Sequence, residues 1–100
     1  MKRILLVDDD AFFRTMFSGL VNWESHGYSL LHAEDGRQAI ATLHQTGDVV
    51  LLFTDMSMPI LDGVNLIRYV HTAFPNIPVS YTHLKIIVSS EKAPPQNNPR

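Results

Sequence analysis

The sequence predicts an α/β fold in which a parallel sheet carries helices on both faces. Three observations predict it. Strand-like and helix-like apolar segments alternate three times between Ile4 and Phe74, the order expected of a parallel sheet with crossover helices. Ile4 to Val7 and Val49 to Phe53 are unbroken apolar runs, as in strands buried on both faces. Each run is followed within two residues by an aspartate, Asp8 and Asp55. Parallel sheets take their ligands beyond the carboxyl ends of their strands.

The elements follow in order. Ile4-Leu-Leu-Val7 is the first strand. Phe13, Met16, Phe17 and Leu20 then recur at helical spacing, and a helix is expected from about Asp10 to Trp23, with an aspartate near its start as cap. His26-Gly27 breaks it, and Tyr28 to Ala33 is a second strand interrupted by Ser29 and His32. Asp35-Gly36 is turn chemistry. Ala39, Ile40 and Leu43 form the apolar face of a second helix ended by Gly47. Val49 to Phe53 is the third strand. A loop with Pro59 and Gly63 leads to a third helix with Leu66, Ile67, Val70 and Phe74 on one face, stopped by Pro75. Val79 to Thr82 offers the opening of a fourth strand and Lys85 to Val88 another. The last eight residues, Ala93-Pro-Pro-Gln-Asn-Asn-Pro-Arg100, have nothing to bury.

Composition narrows the function classes. One hundred residues make one small domain, and 45% hydrophobic with 18% charged residues is ordinary globular composition. Eight Lys and Arg against ten Asp and Glu leave a net charge of −2, which gives no whole-domain attraction to nucleic acid or anionic membrane. With no cysteine, disulfides and thiol nucleophiles are excluded. Met1-Lys2-Arg3 imitates an export signal, but the apolar run stops at Asp8, so an intracellular soluble domain is expected.

Asp8, Asp9 and Asp10 end the first strand, and Asp55 ends the third. If those strands are neighbours, the carboxylates converge and repel unless protonated or neutralised. A hard divalent ion, most naturally Mg²⁺, resolves the conflict, and it favours one or two carboxylates together with a phosphate. Phosphoryl chemistry with a carboxylate nucleophile is the reading that follows. The alternative is that the aspartate run is a helix cap beside a solvated turn and Asp55 a loop residue. The five histidines, His26, His32, His44, His71 and His83, show no metal-ligand spacing.

Ile4-Leu-Leu-Val-Asp-Asp-Asp10 and Thr54-Asp-Met-Ser-Met-Pro-Ile-Leu-Asp-Gly63, with Ala33-Glu-Asp-Gly-Arg-Gln-Ala-Ile40 between them, resemble the receiver domain of two-component response regulators. The resemblance covers residues 2 to 79. It implies a flavodoxin-like, doubly wound parallel sheet. It implies that Asp55 accepts a phosphoryl group, that Asp8 and Asp9 hold Mg²⁺ together with Asp55, and that Ser57 adds a backbone carbonyl. Asp10 falls one step beyond the pair and reads as a helix-start residue. The implied donor is a sensor histidine kinase, and the domain is a cytoplasmic switch, not a turnover enzyme. Asn22-Trp-Glu-Ser-His-Gly-Tyr28 resembles the segment found in receivers fused to AraC-type helix-turn-helix output domains. DNA contact and transcriptional regulation would then come only through an output domain outside this chain, with a homodimer as a state of the intact parent and no membrane partner.

The sequence departs from the family after Val79. A receiver's fourth strand ends in Ser or Thr and its fifth in Lys before Pro. Here Thr82 falls about one residue short, Ser89 and Ser90 come late, and Lys85 and Lys92 stand in the wrong context. The expected organisation is a truncated receiver over residues 1–79, incomplete at its fourth and fifth units, and a non-family tail over 80–100, disordered or artefactual. That truncation would leave the outer edge of the third strand unpaired. Two rivals stand beside the receiver. One is a receiver-like binding module that no longer accepts phosphate. The other is a haloacid-dehalogenase-type phosphatase, with Asp8 and Asp10 as its Asp-x-Asp pair.

Overall fold

The structure is a computed structural model, and it describes residues 1–56, 58 and 61–82. Its elements are β1 (Lys2–Val7), α1 (Ala11–Ser18), a 3₁₀ turn (Glu24–His26), β2 (Tyr28–Ala33), α2 (Gly36–Gln45), β3 (Val49–Asp55), α3 (Gly63–Ala73) and β4 (Val79–Thr82). The strands form one parallel sheet in the order β2-β1-β3-β4. The connections therefore run to opposite sides of β1, and the crevice at that reversal lies between the ends of β1 and β3. This is the flavodoxin-like architecture expected from the sequence.

The aliphatic runs place the core. Leu5, Leu6 and Val7 are fully buried because helices cover both faces of β1. On one face Leu5, Val7 and Leu52 pack with Ala39 and Leu43 of α2 and Leu66 and Val70 of α3. On the other, Leu6 packs with Phe13 and Phe17 of α1, joined by Trp23, Leu30 and Phe53. Phe17 is the hub of this second cluster. It stacks on Trp23 at a ring separation of 5.3 Å and meets Phe53 edge-on at 4.9 Å.

Each α-helix among the described residues starts on an aspartate. Asp10 accepts from the amides of Phe12 and Phe13, Asp35 from Gln38, and Asp62 from Asn65. Each of these bonds satisfies an amide that the helix itself leaves without a carbonyl partner.

Three details differ from the sequence expectation. The first helix ends at Ser18, not near Trp23. Gly19, a poor helix former, caps it, and the chain turns back through Glu24–His26 so that Trp23 reaches Phe17. Leu20 and Met16, expected on the buried face, are exposed. The second helix gives way at Thr46, and the left-handed residue beyond it is Asp48 (φ 64°), not Gly47. Finally, the outer edge of β3 is not bare. Leu52 to Asp55 pair in register with Val79 to Thr82, so the boundary set at residue 79 falls at the start of a strand. Ser80 and Tyr81 are exposed there, which is why β4 lacks a long aliphatic run. The second candidate, Lys85 to Val88, lies outside the described residues.

Candidate functional site

Strand pairing builds the site. Val7 of β1 lies beside Thr54 of β3, so the next residue on each strand, Asp8 and Asp55, come side by side at the sheet's carboxyl end. Asp8 and Asp55 are buried, at 0% and 2% exposure, while Asp9 is exposed. Carboxylate oxygens of Asp8, Asp9 and Asp55 all lie within 4.8 Å of one another. Three formal negative charges at that spacing repel strongly where burial lowers the effective dielectric. An all-oxygen donor set, two members of it screened from water, fits a hard divalent cation such as Mg²⁺ and does not suit a soft metal. Among the described residues, no histidine belongs to this group.

The surrounding hydrogen bonds fix the strand ends. The Asp8 amide donates to the Ala33 carbonyl at 3.0 Å. Its carboxylate accepts from the Asp10 amide at 2.9 Å, and its carbonyl accepts from Arg14 Nη1 at 2.6 Å. The fully buried Thr54 hydroxyl donates to the Asp55 carbonyl at 2.9 Å. Gly63, the first residue of α3, donates to the Met56 carbonyl at 3.1 Å and packs on the Asp55 backbone. Met58 is buried in the core cluster beneath this loop.

The structure thus brings together Asp8, Asp9 and Asp55. It sets Asp10 apart, because that carboxylate caps α1. Ser57 and Pro59 lie outside the described residues, as do Lys85, Ser89, Ser90 and Lys92. Thr82 is the register partner of Asp55 on β4. Of the histidines, His44 meets the Tyr69 hydroxyl at 2.8 Å, linking α2 to α3. His32 lies 3.4 Å from the Ser18 hydroxyl. His32 is exposed, yet desolvation by the atoms around it, and then the Arg14 guanidinium, lower its proton affinity below the ordinary value.

Sequence reasoning missed Arg14, Thr54 and the role of Gly63 as a packing surface. Arg14 was findable: it stands four residues, one helical turn, beyond the cap at Asp10, on the side that returns to the strand end. Thr54 and Gly63 depend on which backbone they face, and spacing along the chain does not reveal that.

Comparison with known proteins agrees with this fold. A family model for the response regulator receiver domain matches residues 4–96. The chain is 35% identical over 79 residues to the transcriptional regulatory protein YesN of Bacillus subtilis, covering 77% of this chain and 21% of that protein. It is 38% identical over 68 residues to the transcriptional regulatory protein CpxR of Klebsiella pneumoniae, covering 68% of this chain and 28% of that protein. The chain therefore spans between a fifth and a third of the length of these relatives. A solved two-component transcriptional regulator AraC from Clostridium phytofermentans superposes with a TM-score of 0.74, at 24% identity, over 98% of this chain and 79% of that one.

Proposed function

Because the chain belongs to the response regulator receiver family, a family of regulatory switch domains, we propose that Asp55 accepts a phosphoryl group from the phosphohistidine of a sensor histidine kinase. The observation that carries this reading is the convergence of Asp8, Asp9 and Asp55 within 4.8 Å at the carboxyl ends of β1 and β3. An Asp55 carboxylate oxygen attacks phosphorus, the bond from phosphorus to the donor's imidazole nitrogen breaks, and the imidazole leaves with that electron pair. Asp8, Asp9 and Asp55 would hold Mg²⁺, with the Ser57 carbonyl as a further oxygen. Bound there, the ion offsets charge on the transferring phosphoryl oxygens. The chain's own contribution is alignment: Thr54 and Gly63 hold the Asp55 backbone, and the bonds of Asp8 hold its carboxylate beside it.

Asp10 supports this assignment over an Asp-x-Asp phosphatase, because its carboxylate faces the amides of α1 and stands outside the acidic cluster. The parent protein would act on transcription, the role that the names of the relatives carry, and it would do so through a DNA-binding output domain. The setting is the cytoplasm, without a membrane partner; among the described residues no helix is long and apolar enough to cross a bilayer.

The test is phosphorylation by a small donor such as acetyl phosphate with Mg²⁺ present. Label sensitive to hydroxylamine and absent from Asp55→Asn is the expected result. Label that survives in Asp55→Asn would overturn the assignment. No label at all, in a folded protein that binds Mg²⁺, would favour the receiver-like binding module.

A further inference from the structure

We propose that Arg14 is a positioning residue for the acidic site: its bond to the Asp8 carbonyl sets the peptide plane between Asp8 and Asp9, and with it the placement of the two carboxylates. The inference rests on the Mg²⁺ reading above and adds a residue to it.

The geometry is specific. The carbonyl that Arg14 Nη1 engages at 2.6 Å belongs to the peptide unit joining Asp8 to Asp9. That unit is rigid, so turning it moves the Asp9 side chain relative to Asp8. On the Asp8 side the chain is already held, by the Ala33 carbonyl and by the bond from the Asp10 amide to the Asp8 carboxylate. Arg14 adds a hold on the Asp8–Asp9 peptide itself. Val7 is the last residue of β1, and the carbonyl of Asp8 just beyond it engages a side chain of α1.

Arg14 is itself well anchored. Its amide donates to the Asp10 carbonyl at 3.1 Å, its carbonyl accepts the Ser18 hydroxyl at 2.7 Å, and Phe13 and Phe17 pin α1 to the sheet. Arg14 is half-buried, and a charge-assisted bond such as the one it makes is stronger than a neutral one.

Charge and position make opposite demands, which makes the idea testable. A guanidinium near the site repels a cation. If Arg14 acted only through its charge, removing it would tighten Mg²⁺ binding. If it acts by orienting the Asp8–Asp9 peptide, removing it weakens binding. Groups that orient ligands in this way typically change metal affinity by an order of magnitude or more.

The experiment is a titration of the chain with Mg²⁺, followed through the amide resonances of Asp9 and Asp10, for the native protein, Arg14→Met and Arg14→Lys. Thermal melts show that each variant is folded. The expected result is a roughly tenfold loss of Mg²⁺ affinity in Arg14→Met, with Arg14→Lys between the two. Arg14→Gln, two bonds shorter and without the forked donors, is held to the same criterion should Arg14→Met not fold. Native or tighter affinity in the folded neutral variant overturns the inference while leaving the proposed function standing. Absence of Mg²⁺ binding by the native chain overturns the metal reading and this inference with it.

Discussion

Gly63 lies flat against the backbone of Asp55. A β-carbon at Gly63 would overlap the Asp55 carbonyl oxygen and come within 2.6 Å of the Met56 α-carbon. The first turn of α3 is thus seated on the residue that would carry the phosphoryl group, with nothing between them. Backbone atoms cannot swing aside as a flexible side chain can, so Gly63→Ala must displace the loop or the helix. Overpacking of this kind costs about 1–3 kcal/mol. Denaturant unfolding of Gly63→Ala against the native chain measures it, and an unchanged midpoint would show that the loop yields freely.

Asp10 and Asp55 are predicted to separate cleanly in function. Asp10→Ala removes the acceptor for the Phe12 and Phe13 amides. It should cost about 0.5–2 kcal/mol. Phosphoryl labelling of Asp55 should persist in it. Complete loss of labelling in folded Asp10→Ala would return the Asp-x-Asp phosphatase to consideration.

Phe17→Ala should be among the most damaging single changes. Phe17 stacks on Trp23, meets Phe53 edge-on and sits 6.2 Å from the Phe13 ring centre. Truncating a buried phenylalanine costs about 3–5 kcal/mol. A small domain holds only about 5–15 kcal/mol in total. Trp23 fluorescence reports the loss directly. A native-like emission spectrum with an unshifted thermal midpoint would contradict the central place given to this ring.

His32 should make the protein less stable in mild acid. Desolvation by the atoms around this exposed ring, and then the Arg14 guanidinium, hold its folded pKa below the ordinary value near 6.5. The unfolded chain therefore binds the proton more readily. Stability is greatest above the unfolded value and falls as pH drops through it toward the folded value. The unfolding midpoint of His32→Gln should change less than that of the native chain between about pH 7 and 5. Equal slopes for the two proteins would remove His32 from the acid response.

Much of this was legible in the chain, and the exceptions have physical causes. The unbroken runs Ile4 to Val7 and Val49 to Phe53 announced the two central strands because each is covered on both faces. Asp10 announced a helix start because capping is local, and Asp35, read as turn chemistry, and Asp62 cap the other two helices in the same way. The first helix was read too long because Leu20 continues the apolar spacing past Gly19, where the chain has already turned. The fourth strand was hard to read because its Ser80 and Tyr81 meet solvent, so pairing with β3 and not composition identifies it. Asp8 and Asp55 were found from their place after strands. Arg14 was passed over although its place one helical turn beyond Asp10 offered a cue, and Gly63 was not legible, since contact with a neighbouring backbone has no signature in side-chain text.

The strand order has a further consequence, in time. Leu5 is flanked by Leu31 on one side and Leu52 on the other. As the chain emerges from the ribosome, β1 and β2 can pair early, but the second flank of β1 stays bare until β3 has been made. Until then Leu5, Leu6 and Val7 form a greasy open ledge, available to any other extended chain. The pairing that closes the ledge is also the one that brings Asp8 to Asp55, so the nascent chain loses its stickiest surface and gains its acidic cluster in the same event.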